Sequence, residues 1–381
     1  MCMGTHRDVT ATPLVGAGIR AGDVDGVLED ALLPGGVVAY VQCIVDLARG
    51  TIVGYEALAR FRRAAQESPA GVFAAARNRG RLTRLEAATL RAGIARLDTL
   101  PADTFLTVNV SPEVLATREV REVLEERGSL RRVVFDLTEH SGVDLGTQLL
   151  DTLGELRASG ARVAVDHGGT TYTRLHDLQA LRPDILMLDR AMVSGVDRDP
   201  TRRMQIELVA NLACQLDAQL LAEGVETLAE LDTISRLGVH LAQGFLLARP
   251  APEWPIVREQ TTALLQTIAA QHGGATLVDL LQQAPTTTSL GHGERAPRGE
   301  VLVVLDAEHR PASIIDELGR VLGVEQSTGT VKVRSQVTAA ARYATSRPGP
   351  TRFLPLVCTD DGGRYVGVVR VDAVLAHLAS R

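Results

Sequence analysis

Two short apolar runs, Val163-Ala164-Val165-Asp166 and Ile185-Leu186-Met187-Leu188-Asp189, each end on an acid, with a Gly-Gly pair and a helix-like stretch between them. Runs this short, rich in Val, Ile and Leu and closed by turn signals, read as strands buried on both faces. Strand, loop, helix, parallel strand is the βαβ unit. A carboxylate at the C-terminal end of such a strand stands where open sheets and barrels bind ligands and do chemistry. The arrangement recurs up to about residue 250, with polar strand ends at Glu56, Asn109, Asp136, Asp166, Asp189, Glu223 and Gln243. Taken singly, each acid fits a solvated loop better than a site. Convergence is what would give them a function.

Elements must position those ends. Residues 1–36 lack clear periodicity and close on Leu33-Pro34-Gly35-Gly36, which predicts a leader and a turn. Further strands are predicted at Val37–Val45, Ile52–Glu56, Phe105–Val110, Val133–Leu137, Gln219–Ala222 and Leu241–Leu247. Helices are predicted at Leu58–Arg63, Val72–Leu97, Pro112–Arg127, Thr147–Ser159, Met204–Leu216 and Leu228–Leu237. Ser111 is the expected N-cap ahead of Pro112, and Gly160 and Gly238 the expected stops. Alternating strands and helices with polar strand ends predict an α/β fold, a TIM-like (β/α)8 barrel whose ends share one face. A doubly wound open sheet is the runner-up, but it would not need so many polar ends.

At 381 residues the chain exceeds one ordinary domain. We expect a leader over 1–36, a barrel over 37–255, a helix and linker over 256–274 and a smaller unit over 275–381. A hydrophobic share of 45% and a charged share of 23% fit a soluble globular protein. No apolar run approaches the roughly 18 residues of a membrane helix, and the first residues lack a signal-peptide profile. Cys2, Cys43, Cys214 and Cys358 lack metal-type spacing, as expected of reduced thiols in a cytoplasm. The expectation is therefore a cytoplasmic chain with no membrane partner. A net charge of −6 argues against binding a nucleic acid polymer and leaves room for a local basic pocket. Lys332 is the only lysine.

Tyr55-Glu56-Ala57-Leu58-Ala59-Arg60 resembles the signature of EAL domains, the cyclic di-GMP phosphodiesterase family. The resemblance continues through Asn109-Val110-Ser111, Phe135-Asp136-Leu137-Thr138-Glu139, Asp166-His167-Gly168-Gly169, Leu188-Asp189-Arg190, Ala222-Glu223-Gly224-Val225-Glu226-Thr227 and Gln243-Gly244-Phe245. It implies a barrel in which carboxylates and an Asn hold two Mg²⁺ or Mn²⁺ ions, with cyclic di-GMP opened to pGpG. Hard divalent ions prefer oxygen ligands, and two of them can clamp the attacking and leaving oxygens of an in-line displacement. By the match, Glu56, Asn109, Asp136 and Asp166 are ligands and Glu223 stands beside the water. Gln42, Arg60, Asp189, Glu226, Gln243 and Phe245 match positions that grip the dinucleotide: Arg60 at a phosphate, Phe245 at a guanine face.

The departures matter equally. Asp136 stands where the family has Glu, and His167 where it has a second Asp. A histidine suits Mg²⁺ poorly, and a loop-capping role is the alternative for it. The following loop, Gly168-Gly169-Thr170-Thr171-Tyr172, retains only part of the family pattern, although Glu139, which braces that loop in the family, is kept. Met187 stands where the family places a catalytic Lys. Losing one positioned donor near a developing oxyanion costs about 10²–10³ in rate. The gripping residues are thus nearly complete while the water-activating ones are eroded.

In the tail, Val301–Asp306 with Arg310-Pro311, and more clearly Leu354–Asp360 followed by Gly362–Val371 and a helix Ala373–Leu378, resemble the two halves of a CBS pair, interrupted by a loop over Thr286–Gly299. The alternative is a structural or dimerising tail. For the whole chain the expectation is a degenerate EAL domain that binds cyclic di-GMP, or a protein partner, with little or no hydrolysis. The alternatives are a working metal-dependent phosphodiesterase and a scaffold without ligand.

Overall fold

The computed structural model describes residues 21–64, 69–138, 146–166, 175–272, 276–288, 301–316, 329–335, 337–347, 349–360 and 362–379. Eight strands close into one barrel: β1 (Val37–Asp46), β2 (Thr51–Phe61), β3 (Phe105–Val110), β4 (Val133–Leu137), β5 (Arg162–Asp166), β6 (Ile185–Leu188), β7 (Gln219–Ala222) and β8 (Leu241–Ala242). Closure excludes the open sheet. Strands β2 to β8 run parallel, whereas β1 is antiparallel to both its neighbours. Its N-terminal half therefore rises to the same mouth as the C-terminal ends of the others, and Gln42 pairs with Glu56.

Side chains alternate along a strand, so each strand sends every second residue into the barrel. The inward residues form an apolar plug of Ile44, Phe105, Val134, Ala164, Ile185, Met187, Leu221 and Leu241. Two residues beyond the plug, β4, β5, β7 and β8 present Asp136, Asp166, Glu223 and Gln243. On β6 that place is held by Met187, only 2% exposed, beside Asp166 on one side and Leu221 on the other. The outward residues pack under the helices in the main core.

Several elements differ from expectation. Leu58–Arg63 is not a helix: β2 runs on to Phe61, and a short 3-10 turn over Arg62–Ala64 follows. Pairing with β1 overrides the helical tendency of Leu-Ala-Arg. The predicted helix over Val72–Leu97 is two, Ala70–Asn78 and Leu82–Ile94, separated at Gly80 with φ 64°. Pro112–Arg127 is likewise two, Pro112–Leu115 and Arg118–Arg127. The expected last strand Leu241–Leu247 ends at Ala242. Residues 1–36 are not simply a leader, because Ala21–Ala31 is a helix that buries Val27, Leu28 and Ala31 against Phe61 and Val72. No helix of the described residues is long and apolar enough to cross a membrane.

After the helix Glu259–His272 comes an α+β unit of two three-stranded sheets with the same plan. Thr286–Thr287 pairs parallel to Leu302–Leu305, which pairs antiparallel to Pro311–Ile315. Thr330–Lys332 pairs parallel to Leu356–Thr359, which pairs antiparallel to Tyr365–Val369. Helices Val337–Ser346 and Val371–Ala379 cover the second sheet. Of the expected loop over Thr286–Gly299, residues 289–299 lie outside the described set. The unit is joined to the barrel by a buried ion pair: Lys332 Nζ lies 3.3 Å from the Asp217 carboxylate, which also accepts from Thr359 Oγ1 at 2.8 Å. Burial pushes the Asp217 carboxyl up despite these partners.

The plug rests on one glycine. A Cβ at Gly54 would lie 2.5 Å from the Phe105 ring, and Arg162 covers that ring at 4.6 Å. Gly54→Ala is expected to cost about 1–3 kcal/mol through overpacking, read as an earlier urea midpoint. An unchanged midpoint would mean the ring swings aside freely.

Candidate functional site

Glu56 lies at the centre of the barrel mouth, buried, with both carboxylate oxygens occupied. Asn109 Nδ2 donates to Oε1 at 2.9 Å, and Gln243 Nε2 donates to Oε2 at 2.5 Å. Gln243 Nε2 also lies 3.0 Å from Gln42 Oε1, while Gln42 Nε2 donates to the Ala248 carbonyl at 2.8 Å. Four strands thus meet in one amide–carboxylate network. Arg60, on the same face of β2 four residues on, lies over the Tyr40 ring at 5.4 Å and donates to the Ala59 carbonyl at 2.9 Å. Burial lowers its pKa, with Tyr40 and Glu56 opposing that shift.

Asn109 is braced from behind. Ser111 sits at the predicted N-cap position but makes no cap bond. Its hydroxyl donates instead to Glu86 Oε1 at 2.5 Å, and its N–H to Glu86 Oε2 at 2.8 Å. Glu86 is buried on the helix Leu82–Ile94, and burial raises its pKa against these two bonds.

Rim residues come from loops that cross closely. A Cβ at Gly244 would lie 2.1 Å from the Val225 carbonyl oxygen, so only glycine lets the loop after β8 pass under the loop after β7. Phe245 follows, 41% exposed, with the Arg249 guanidinium 4.3 Å from its ring centre. Glu226 is exposed and paired with Arg190 at 2.8 Å. Asp189 caps the next helical turn by accepting from Met192 N at 2.9 Å. Buried Glu230 fastens the segments after β6 and β7, accepting from Gly195 N at 2.9 Å and from Glu226 N and Thr227 N at 3.0 Å each.

The electrostatics of the mouth are one-signed. Burial raises the pKa of Glu56, although Asn109, Gln243 and Arg60 oppose it. Asp136 is raised well above the carboxylate range, by burial first and then by Glu56 and Asp166. Glu223 is raised well above it too, by burial and then by Glu56, Asp136, Asp166 and Asp189. Such crowding calls for a cation, and Asp136 Oδ1 is buried with no hydrogen-bond partner among the described residues. The oxygen donors thus suit a hard divalent ion chemically. Their placement does not: both Glu56 oxygens are engaged, and among the described residues no three His, Cys, Asp or Glu side chains are arranged to hold a metal.

The predicted residues Gln42, Glu56, Arg60, Asn109, Asp136, Asp166, Glu223 and Gln243 gather at one mouth, with Asp189, Glu226 and Phe245 on its rim. His167 and Glu139 lie outside the described residues. Sequence reading gave no role to Arg249, Arg190, Glu86 or Glu230. The last carries a capping-box signal, Thr227-Leu228-Ala229-Glu230, that could have found it.

The EAL domain family, by its sequence model, matches residues 26–250. The probable cyclic di-GMP phosphodiesterase PdeG of Escherichia coli K12 is 27% identical over 243 residues, which is 61% of this chain and 48% of that protein. This chain spans about half or less of the length of the curated relatives it matches first, at 48%, 29% and 31%. Among solved structures, the PaMucR phosphodiesterase in complex with c-di-GMP is 26% identical with a TM-score of 0.54, covering 60% of this chain and 98% of that one. The manganese and cyclic di-GMP complex of Klebsiella pneumoniae BlrP1 at pH 9.0 is 28% identical with a TM-score of 0.52, covering 59% of this chain and 60% of that one.

Glu230 yields a stability prediction. Burial acts to raise its pKa, but the three backbone N–H donors outweigh burial and hold it below the usual value. A depressed folded pKa contributes stability that is present above the unfolded pKa of about 4.3 and is lost as pH falls through the folded value. Glu230→Gln is expected to cost about 1.5–3 kcal/mol near pH 7, with the deficit shrinking below about pH 4. Denaturant titrations at the two pH values check it. A deficit that does not change with pH would assign the loss to packing.

Proposed function

The chain belongs to the EAL family, and on that footing we propose that it is a receptor for cyclic di-GMP that hydrolyses its ligand slowly or not at all. The observation that carries this reading is Met187. Its thioether occupies, beside Asp166, the inward place where a positioned cation would have to stand, and it packs into the apolar plug. The engagement of Glu56 by two amides supports the same reading. The gripping groups stand apart from this loss. Arg60 reaches a phosphate through a charge-assisted bond that needs no metal, Phe245 offers an exposed face to a guanine, and Glu226 and Asp189 offer acceptors to its donor edge. The C-terminal unit, with its repeated sheet plan, fits the CBS pairing as a further part of this proposal.

A second reading has one observation in its favour. The mutual repulsion of Asp136, Glu223 and Glu56 would be relieved by a divalent ion, and an active metal-dependent phosphodiesterase would use one.

Two measurements separate the readings. Chromatography of the full chain with cyclic di-GMP and Mg²⁺ or Mn²⁺ is expected to show pGpG release at least about 10²-fold below that of an active homologue; rapid release would sink the receptor reading. Met187→Lys with His167→Asp is expected to raise release, by about 10²-fold, only if the remaining ligands are placed well. No gain would place the defect in the loop after β5. In calorimetry, Arg60→Ala is expected to abolish binding, whereas Asn109→Ala and EDTA leave it nearly unchanged. Equal losses in all three would put the enzyme ahead.

A further inference from the structure

The N-terminal ends of the barrel strands, opposite the mouth, hold chemistry that the site above does not use. A cleft of about 1720 Å³ opens there between the barrel and the C-terminal unit. The barrel wall contributes Arg131, Arg157 and Arg182, and the facing wall contributes Arg310 and Arg364.

The last two are equivalent residues of an internal repeat. Asp306 Oδ1 accepts from Glu308 N at 3.0 Å and Arg310 N at 2.7 Å. Asp360 Oδ1 accepts from Gly362 N and Arg364 N at 2.9 Å each. In each turn the Asp N–H donates to the arginine carbonyl at 2.9 Å, and the residue before the arginine has positive φ, 63° at His309 and 76° at Gly363. Tyr365 N donates to His309 O at 3.0 Å, which sets the two turns side by side.

Among the described residues, the seven cations lining the cleft outnumber its four acids. Among the described residues, the guanidinium groups of Arg131, Arg182, Arg310 and Arg364 make no ion pair or side-chain hydrogen bond, and all four are exposed. Arg157 is held in place by donating to the Leu181 and Arg182 carbonyls at 2.5 and 2.9 Å. Of the acids on the walls, Asp184 accepts from Val163 N at 2.8 Å, Asp217 is bound by Lys332, and Asp360 closes its own turn. Only Glu308 lacks such a bond among the described residues. Burial lowers the pKa of Arg157, and Arg182 and Arg310 lower it further against Asp184, which sets these like charges within each other's field across the two walls.

We propose that this cleft binds a small polyphosphate anion, held between the barrel arginines and the paired turns. Guanidinium groups suit phosphate oxygens by charge and by bidentate geometry. The volume exceeds the roughly 300–1,000 Å³ of ordinary ligand pockets, leaving room for a hydrated polyphosphate. A long polyanion is disfavoured, because the chain as a whole is acidic, with net charge −6. A ligand touching both walls stabilises their docking and raises the melting temperature.

The full chain is titrated by calorimetry with inorganic tripolyphosphate, with ATP and with a single-stranded RNA oligomer, and its melting is followed alongside. Saturable binding of tripolyphosphate and ATP is expected, weakening as ionic strength approaches about 1 M, where the Debye length is about 3 Å. Tighter binding of ATP than of tripolyphosphate would assign the nucleoside a share, and equal binding would leave the phosphates alone as the ligand. Arg182→Glu with Arg310→Glu is expected to weaken binding about tenfold or more, as is Arg364→Glu alone to a smaller degree. Both sets change exposed residues, and unaltered circular dichroism identifies variants that fold. Arg118→Glu, an equally exposed charge reversal on the helix Arg118–Arg127 and outside the cleft lining, leaves tripolyphosphate binding as it was. Absence of saturable binding, equal affinity in the folded variants, or binding of the RNA alone overturns the proposal.

Discussion

Carboxylates gathered at the dry mouth of a barrel repel one another, and much of this structure answers that repulsion. Alternation along the strands forces the issue. Once the lower inward positions fill with Ile, Val, Leu and Phe, the next inward positions share a small, poorly solvated space. Glu56 is quieted by two amides, and Arg60 lends a positive charge from the same strand. Among the described residues Asp136 and Glu223 have no such help, and both shift towards their neutral forms. Met187 contributes an apolar side chain where a cation would have eased the whole group. The mouth therefore sets one cation, Arg60, beside a group of carboxylates that burial and mutual repulsion push towards their neutral forms.

That mouth depends on loops whose backbones pass within contact of each other. Gly244 permits the crossing, and Glu230 ties the loop after β7 to the segment after β6 by collecting N–H groups from both. Ser111 and Glu86 do the corresponding work behind Asn109. The groups that would touch ligand thus sit on backbone fixed by residues that would not.

Much of the barrel was legible because buried parallel strands leave a strong signal. Phe105–Val110, Val133–Leu137 and Gln219–Ala222 match their predicted bounds. Leu58-Ala59-Arg60 misled because helix formers were placed in a strand by a partner, β1, whose reversed direction no local pattern encodes. Gln243 and Phe245 were found through their motif, although the strand expected to carry them stops at Ala242. Ser111 was read at the right place for the wrong bond, because its acceptor, Glu86, is far away in sequence. The repeat in the C-terminal unit was visible as two similar strand pairs. The arginines it sets against the barrel were not, since their meeting depends on how two units dock.

That docking runs through Lys332, buried to 7% exposure between Asp217 and the Asp360 carbonyl. Because the chain has no other lysine, its single ε-amine is also a built-in gauge of whether the two units are together. A lysine-specific protease has one peptide bond to cut, and an amine reagent has one side chain to modify. Both meet it only when the joint opens. Where reclosing outpaces cleavage, the rate at this bond follows the population in which the joint and the strand Thr330–Lys332 have opened, with no residue changed.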